Sequence, residues 1–154
     1  TNPEAVKRIY DIKKRADNKS MLVLLDDAGK IASYADVPDI ALDLIEVADK
    51  PTTIIYPGAK RLAPNLIAED GTIGIRITRE EFTRSLIFRY NKPIVSTSAN
   101  ISGEPSPHFF GEISEEIKNA VDYIVDYRRN DHKPAAPSSI IKLGMGGEIQ
   151  IIRK

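Results

Sequence analysis

An α/β domain built on a twisted mixed sheet, parallel and antiparallel, with helices at its flanks is the fold class this sequence predicts. Segments with helical spacing alternate with short β-branched runs along most of the chain. Residues 72–77 alternate strictly between isoleucine and small or polar residues, the periodicity of a strand with one packed and one free face. The last two apolar runs are separated by a glycine-rich tetrapeptide, so at least one strand pair is an antiparallel hairpin.

Asn2 and Pro3 suit an N-cap and a first helical position, and Val6, Ile9, Tyr10 and Ile12 then predict a helix over 3–15. The aliphatic run 21–25 reads as a buried strand stopped by Asp26, Asp27 and Gly29. A second helix starts near Pro38, with Ile40, Ala41, Leu44, Ile45 and Ala48 on one face. Residues 52–56 are β-branched and apolar, hence a strand, closed by Pro57 and Gly58. After strand 72–77, Thr78 and Glu81 are spaced as a capping box for a helix to Tyr90, with Phe82, Leu86 and Tyr90 as its apolar stripe. Residues 93–97 read as a strand, Ser114 as the cap of a short helix to about Ala120, and 123–125 as a further strand. Strands 138–143 and 148–152 are joined through Gly144, Met145, Gly146 and Gly147. The charged, proline-rich stretch 128–137 reads as a mobile loop over a site.

At 154 residues and 42% hydrophobic, the chain suits one domain over 1–154 with a core large enough to need no staple. It has no cysteine, which excludes disulfides, thiolate zinc and a cysteine nucleophile, and agrees with a cytoplasmic location. Its longest aliphatic run is far too short to cross a bilayer, so no membrane partner is expected. Charge balances at 22 basic and 22 acidic residues, but unevenly. Residues 1–19 hold six basic and three acidic residues, 76–92 five and two, while 26–49 hold seven acidic residues and only Lys30. Basic segments in a neutral protein suit a small anionic ligand as well as they suit solvated helix faces.

The stretch 96–106, STSANISGEPS, places four serines, a threonine, an asparagine and a glycine directly after a strand. Hydroxyls and backbone N–H groups at a strand's carboxyl end can bind phosphate or carboxylate, although the same residues also build ordinary turns. Lys13, Lys14, Arg15 and Lys19 follow a helix C-terminus, where the helix dipole alone favours cations. Arg76 has no such ordinary explanation: it lies inside a strand, on the face shared with Thr72 and Gly74, where a guanidinium can grip an anion with two bonds. No P-loop and no GxGxxG text is present. His108 and His132 lie outside any metal-ligand spacing, Asp26 and Asp27 read as a solvated turn, and no metal site is expected. Tyr56, Tyr90, Phe109 and Phe110 are too dispersed for a base-stacking platform.

Several stretches occur in one order: NPEAVKRIYDIKKRADNK, TIGIRI, IVSTSANISGEPSP, PSSII and IQIIRK. Together they resemble the YrdC-like threonylcarbamoyl-AMP synthases over nearly the whole chain, with K-x-R at Lys13 and Arg15 and S-A-N at Ser98 to Asn100 as the specific text. The resemblance implies an enzyme, a nucleotidyltransferase, that joins L-threonine, bicarbonate and ATP into threonylcarbamoyl-AMP and pyrophosphate. A downstream threonylcarbamoyl transferase would use that product in tRNA threonylcarbamoyladenosine modification. It implies Lys13 and Arg15 as catalytic residues, and Arg15, Lys19, Thr72, Ser98, Asn100, Ser106 and Arg153 as ATP-binding. Arg76, Ser96 and Ser138 would face threonine. Mg2+ is expected on the ATP phosphates rather than in a protein cage. The sequence departs from the family text at Ala16, Ser20, Met21, Leu24, Thr97, Ser139 and Ile140. The family's N-terminal P-T-[DE]-T-x-[YW]-G-[LI] strand and turn have no counterpart in the 154 residues, so Thr1 is expected to be internal to a longer protein. Two readings compete with the synthase: a non-catalytic binder of tRNA or double-stranded RNA, and an inactive domain that holds only nucleotide or a protein partner.

Overall fold

The computed structural model describes residues 2–15, 21–134 and 137–154. Helix α1, Pro3–Lys13, opens as its sequence demands: the Asn2 side chain accepts the N–H groups of Glu4 and Ala5 at 3.1 and 3.2 Å. It ends two residues before the expected position because Lys14 turns left-handed at φ 49° and the Arg15 N–H returns to the Tyr10 carbonyl. Val6, Tyr10 and Lys13 are its buried stripe.

Strand β1 spans Leu22–Leu25, and a 3-10 turn at Ala28–Ser33, absent from the sequence reading, follows an Asp27 cap on Gly29. Helix α2, Ile40–Val47, stops before Ala48. Arg79 donates to the Ile45 and Ala48 carbonyls at 2.8 Å each, satisfying groups the helix end leaves open. Arg79→Ala should therefore cost about 1 kcal/mol, measured by urea unfolding.

The remaining elements are β2 (Thr52–Tyr56), β3 (Ile73–Ile77), α3 (Glu81–Tyr90), β4 (Ile94–Ser96), α4 (Glu115–Ala120), β5 (Ser139–Leu143) and β6 (Ile149–Arg153). The six strands form one sheet in the order β4-β1-β3-β2-β5-β6. β1 with β3 and β2 with β5 are parallel, and the other three pairs are antiparallel. This is the expected mixed α/β sheet with helices at its flanks. The closing hairpin forms as expected, with the Gly144 N–H on the Glu148 carbonyl and Gly147 at φ 89°.

Strand alternation sorts the two faces. Val23, Leu25, Ile54, Tyr56, Ile73, Ile75 and Leu143 point into the core, packed with Val6 and Tyr10 of α1, Ala41 of α2 and Ile31. The register puts Leu22 and Leu24, Gly74 and Arg76, Thr53 and Ile55, Ile140 and Arg153 on the opposite face. Most of these residues keep partial exposure, so this second face is free for polar work.

Three local expectations fail. The N-cap of α3 is Glu80, whose carboxylate accepts the Phe82 and Thr83 N–H groups, because the Thr78 N–H is already bonded to the Leu25 carbonyl. The inward residue of α3 is Ile87, at 1% exposure, while Phe82, Leu86 and Tyr90 lie outside. Phe82 instead stacks on Tyr127 at 4.8 Å. Residues 123–125 form no strand, because the Arg129 guanidinium takes the Ile124 and Val125 carbonyls that a ladder would use. Of the aromatics read as dispersed, Tyr56 is in the core and Tyr90 is exposed on α3.

Candidate functional site

The end of α1 and the loop after β4 are tied together through one side chain. Lys13 is 3% exposed, and its Nζ donates to the carbonyls of Ser98 at 2.5 Å and Asn100 at 2.7 Å. Its own carbonyl accepts the Ser102 N–H at 2.8 Å. Asn100 tightens the same loop by donating from Nδ2 to the Ile101 and Glu104 carbonyls, and buried Ile101 anchors it. The Asn100 Oδ1 is buried without a hydrogen-bond partner among the described residues. Burial, then the positive charge of nearby Arg15, lowers the Lys13 pKa. Arg15, partly exposed, thus stands with the loop that presents the exposed Ser98 hydroxyl.

A second cluster sits across the sheet. The Arg153 Nε donates to the Ser138 carbonyl at 2.8 Å and its Nη2 to Ser138 Oγ at 3.3 Å, while Ser138 Oγ meets Thr53 Oγ1 at 3.1 Å. Arg76, on β3, has neither hydrogen-bond nor ion-pair partner among the described residues. Burial and the neighbouring Arg153 charge lower its pKa. A half-buried guanidinium without a partner among the described residues, lying in the field of a second one, is an arrangement that an anion stabilises.

A third cluster joins the sheet face at Thr72, which is 8% exposed. Its hydroxyl and N–H both donate to Asp70 Oδ1, at 2.7 and 3.2 Å, and Lys142 on β5 donates to Asp70 Oδ2 at 2.5 Å. A cavity of about 220 Å3 lies beside it, lined by Leu22, Thr53, Ile55, Thr72, Gly74 and Ile140. A Cβ on Gly74 would come within 3.4 Å of both Leu22 Cβ and Thr53 Cγ2, so glycine keeps this floor low.

Of the residues singled out in the sequence, Lys13, Arg15, Ser98 and Asn100 come together, as do Arg76, Ser138 and Arg153. Ser106 is exposed in the loop beyond, and Lys19 lies outside the described residues. Ser96 pairs with Leu22 on the β4 edge, whereas Ser138 adjoins β5. Four strand spacings, roughly 19 Å, separate them, so the structure does not bring Ser96 into the Ser138 cluster. Thr53, Asp70 and Lys142 escaped the sequence reading. Thr53 had a signal, a polar residue inside an apolar strand; Asp70 and Lys142 had none, because an Asp-Gly-Thr turn and a surface lysine are ordinary text. Among the described residues, no three His, Asp or Glu side chains gather as a metal cage, and no helix is long and apolar enough to cross a membrane.

Known proteins share this fold. The family model of Sua5, YciO and YrdC proteins, described as telomere recombination, matches residues 1–154. A Methanocaldococcus jannaschii protein named as a threonylcarbamoyl-AMP synthase is 39% identical over 143 residues, 92% of this chain and 66% of that protein. A threonylcarbamoyl-AMP synthase of Pseudoalteromonas translucida is 28% identical over 152 residues, 96% of this chain and 80% of that protein. The structure of P. abyssi Sua5 complexed with L-threonine superposes with a TM-score of 0.79 at 25% identity, covering 92% of this chain and 42% of that one. The chain thus spans about two thirds of its archaeal relative and less than half of the threonine-bound structure. Matched by one family model from end to end, the chain belongs to the Sua5/YciO/YrdC family.

Proposed function

We propose that the protein is a threonylcarbamoyl-AMP synthase, a nucleotidyltransferase that condenses L-threonine, bicarbonate and ATP. The threonine amine captures bicarbonate as a carbamate with loss of water. A carbamate oxygen then bonds to the α-phosphorus of ATP, the α–β bridging bond breaks, and pyrophosphate leaves. No side chain has to form a covalent bond, so the chemistry asks for positioning and charge compensation, which this sheet face can supply. The observation that carries the reading is Arg76, half-buried without a partner beside Arg153 and Ser138. This pair holds the carboxylate or carbamate, while Arg15 and the loop at Ser98 and Asn100 receive the phosphates, with Lys19 and Ser106 as further contacts. Magnesium enters with ATP as part of the substrate. Lys13 acts through the loop: two of its three N–H groups are spent on the Ser98 and Asn100 carbonyls, which makes it a positioning residue.

The product, a mixed anhydride, suits a downstream transferase that modifies tRNA. The relatives' names and the L-threonine bound to P. abyssi Sua5 support this reading. The competing RNA-binding reading draws on basic residues 76–92, but there Arg79 is committed to the end of α2. The full-length protein should release pyrophosphate from ATP only when threonine and bicarbonate are both present. Release indifferent to either would overturn the proposal, and RNA binding that weakens steeply with salt, without such release, would replace it.

A further inference from the structure

Asp70 has no part in the reaction as proposed, yet both of its oxygens are committed at the edge of the site. Oδ1 accepts two bonds from Thr72, and Oδ2 accepts one from Lys142, a residue 72 positions away on β5. Lys142 and the Thr72 hydroxyl hold the Asp70 carboxyl down at a pKa of about 2, so it is ionised under all ordinary conditions. An ionised carboxylate has no proton to share, so the hydrogen between Asp70 and Thr72 is the threonine's. The Thr72 N–H is spent on the same oxygen, and its carbonyl accepts the Ala68 N–H at 2.9 Å. What Thr72 can still offer the adjoining cavity is lone pairs.

We propose that Asp70, held by Lys142, is a positioning residue that makes Thr72 a hydrogen-bond acceptor, so that this wall of the site takes an uncharged hydroxyl or amino donor, the nucleoside end of the nucleotide, and not a phosphate. A phosphate oxygen facing Thr72 would set acceptor against acceptor, with the Asp70 charge directly behind. The remaining lining agrees. Leu22, Ile55, Ile140 and the bare Gly74 floor form an apolar bed for a ring or sugar, whereas Arg15 and the exposed Ser98, which suit phosphate, stand at the loop that Lys13 holds. The inference rests on the nucleotide reading above and deepens it, because it assigns the two ends of the nucleotide to different parts of the sheet face.

Calorimetric titration of the full-length protein with ATP and with inorganic tripolyphosphate separates the ends. Asp70→Asn can turn its amide toward Thr72 and lets the hydroxyl point elsewhere. It should weaken ATP about tenfold or more and leave tripolyphosphate affinity unchanged. Thr72→Val should do the same, and Thr72→Ser, which keeps the hydroxyl, should retain wild-type affinity for both ligands; a merely structural role for the turn would instead make Thr72→Val lose affinity for both ligands alike. If Asp70→Asn fails to fold, Thr72→Val and Thr72→Ser carry the test. Unchanged ATP affinity in Asp70→Asn and Thr72→Val, or an equal loss for both ligands, overturns the proposal while leaving the nucleotide reading intact. A wild-type protein that binds neither ligand overturns both.

Discussion

Replacing Arg76 with methionine is expected to lower threonine-dependent pyrophosphate release by at least about 100-fold while raising the melting temperature of the ligand-free protein. The two effects share a cause. Arg76 is a half-buried cation whose main electrostatic neighbour is another cation, Arg153, and burial first, then that neighbour, lower its pKa from the ordinary arginine value. A basic group with a folded-state pKa below its unfolded value is a liability in its charged form, since the unfolded chain holds the proton more tightly. That cost is present in full at neutral pH and is relieved only as pH rises past the lowered pKa towards the ordinary arginine value. Methionine removes the charge and keeps much of the apolar stem, so stability should rise by about 1 kcal/mol or less, because partial exposure screens the repulsion. Differential scanning fluorimetry without ligand, beside a pyrophosphate assay, checks both halves. A variant that loses activity and stability together would show that Arg76 belongs to the fold.

Replacing Lys13 with methionine should have the opposite character. Its ammonium is the shared donor for the Ser98 and Asn100 carbonyls, and its removal leaves two carbonyls with no charged partner. Each charge-assisted bond is worth about 1.5–3 kcal/mol. The desolvation that lowers the Lys13 pKa offsets part of the sum. The expected net loss is about 2–4 kcal/mol in urea unfolding. Amide hydrogen exchange should rise selectively over residues 98–104, and thermal stabilisation by ATP should disappear. The pH dependence has a definite sign. The folded protein releases the Lys13 proton at lower pH than the unfolded chain does, so wild-type stability gains on the variant as pH approaches 10.5. A gap that narrows over that range would contradict the assignment of burial as the dominant cause.

The contrast between these residues shows what could be read in advance. Lys13 looked like one of four cations at a helix end, and helix periodicity alone could not tell the inward member from the solvated ones. The structure separates them: Lys13 is buried, and Lys14 turns left-handed and pairs with Glu116 on the surface. Arg76 was legible, because strict alternation over 72–77 forces its side chain to the face opposite Ile75. Asp70 was not, because its partner Lys142 reaches it through the pairing of β2 with β5. The misplaced stripe of α3 has a similar origin. The pattern of Phe82, Leu86 and Tyr90 is properly helical, but Ile87 is the residue α3 buries, and tertiary packing overrides amphipathic spacing when the covering surface is narrow.

Local patterns carried the α/β class, the start of α1, the strand 52–56, the strand read as 72–77 that begins at Ile73, the closing hairpin and the face on which Arg76 lies. Each of these depends on interactions a few residues apart: a cap, a period of two, a turn. Tertiary contacts settle that the Lys13 ammonium holds the S-A-N loop, that Arg76 lies in the field of the Arg153 that binds Ser138, that Ser96 stands at the far edge of the sheet, and that Thr72 is bonded to an aspartate held by β5. Those depend on strand order, and strand order follows from which apolar faces find one another across the whole chain. No local spacing encodes that choice.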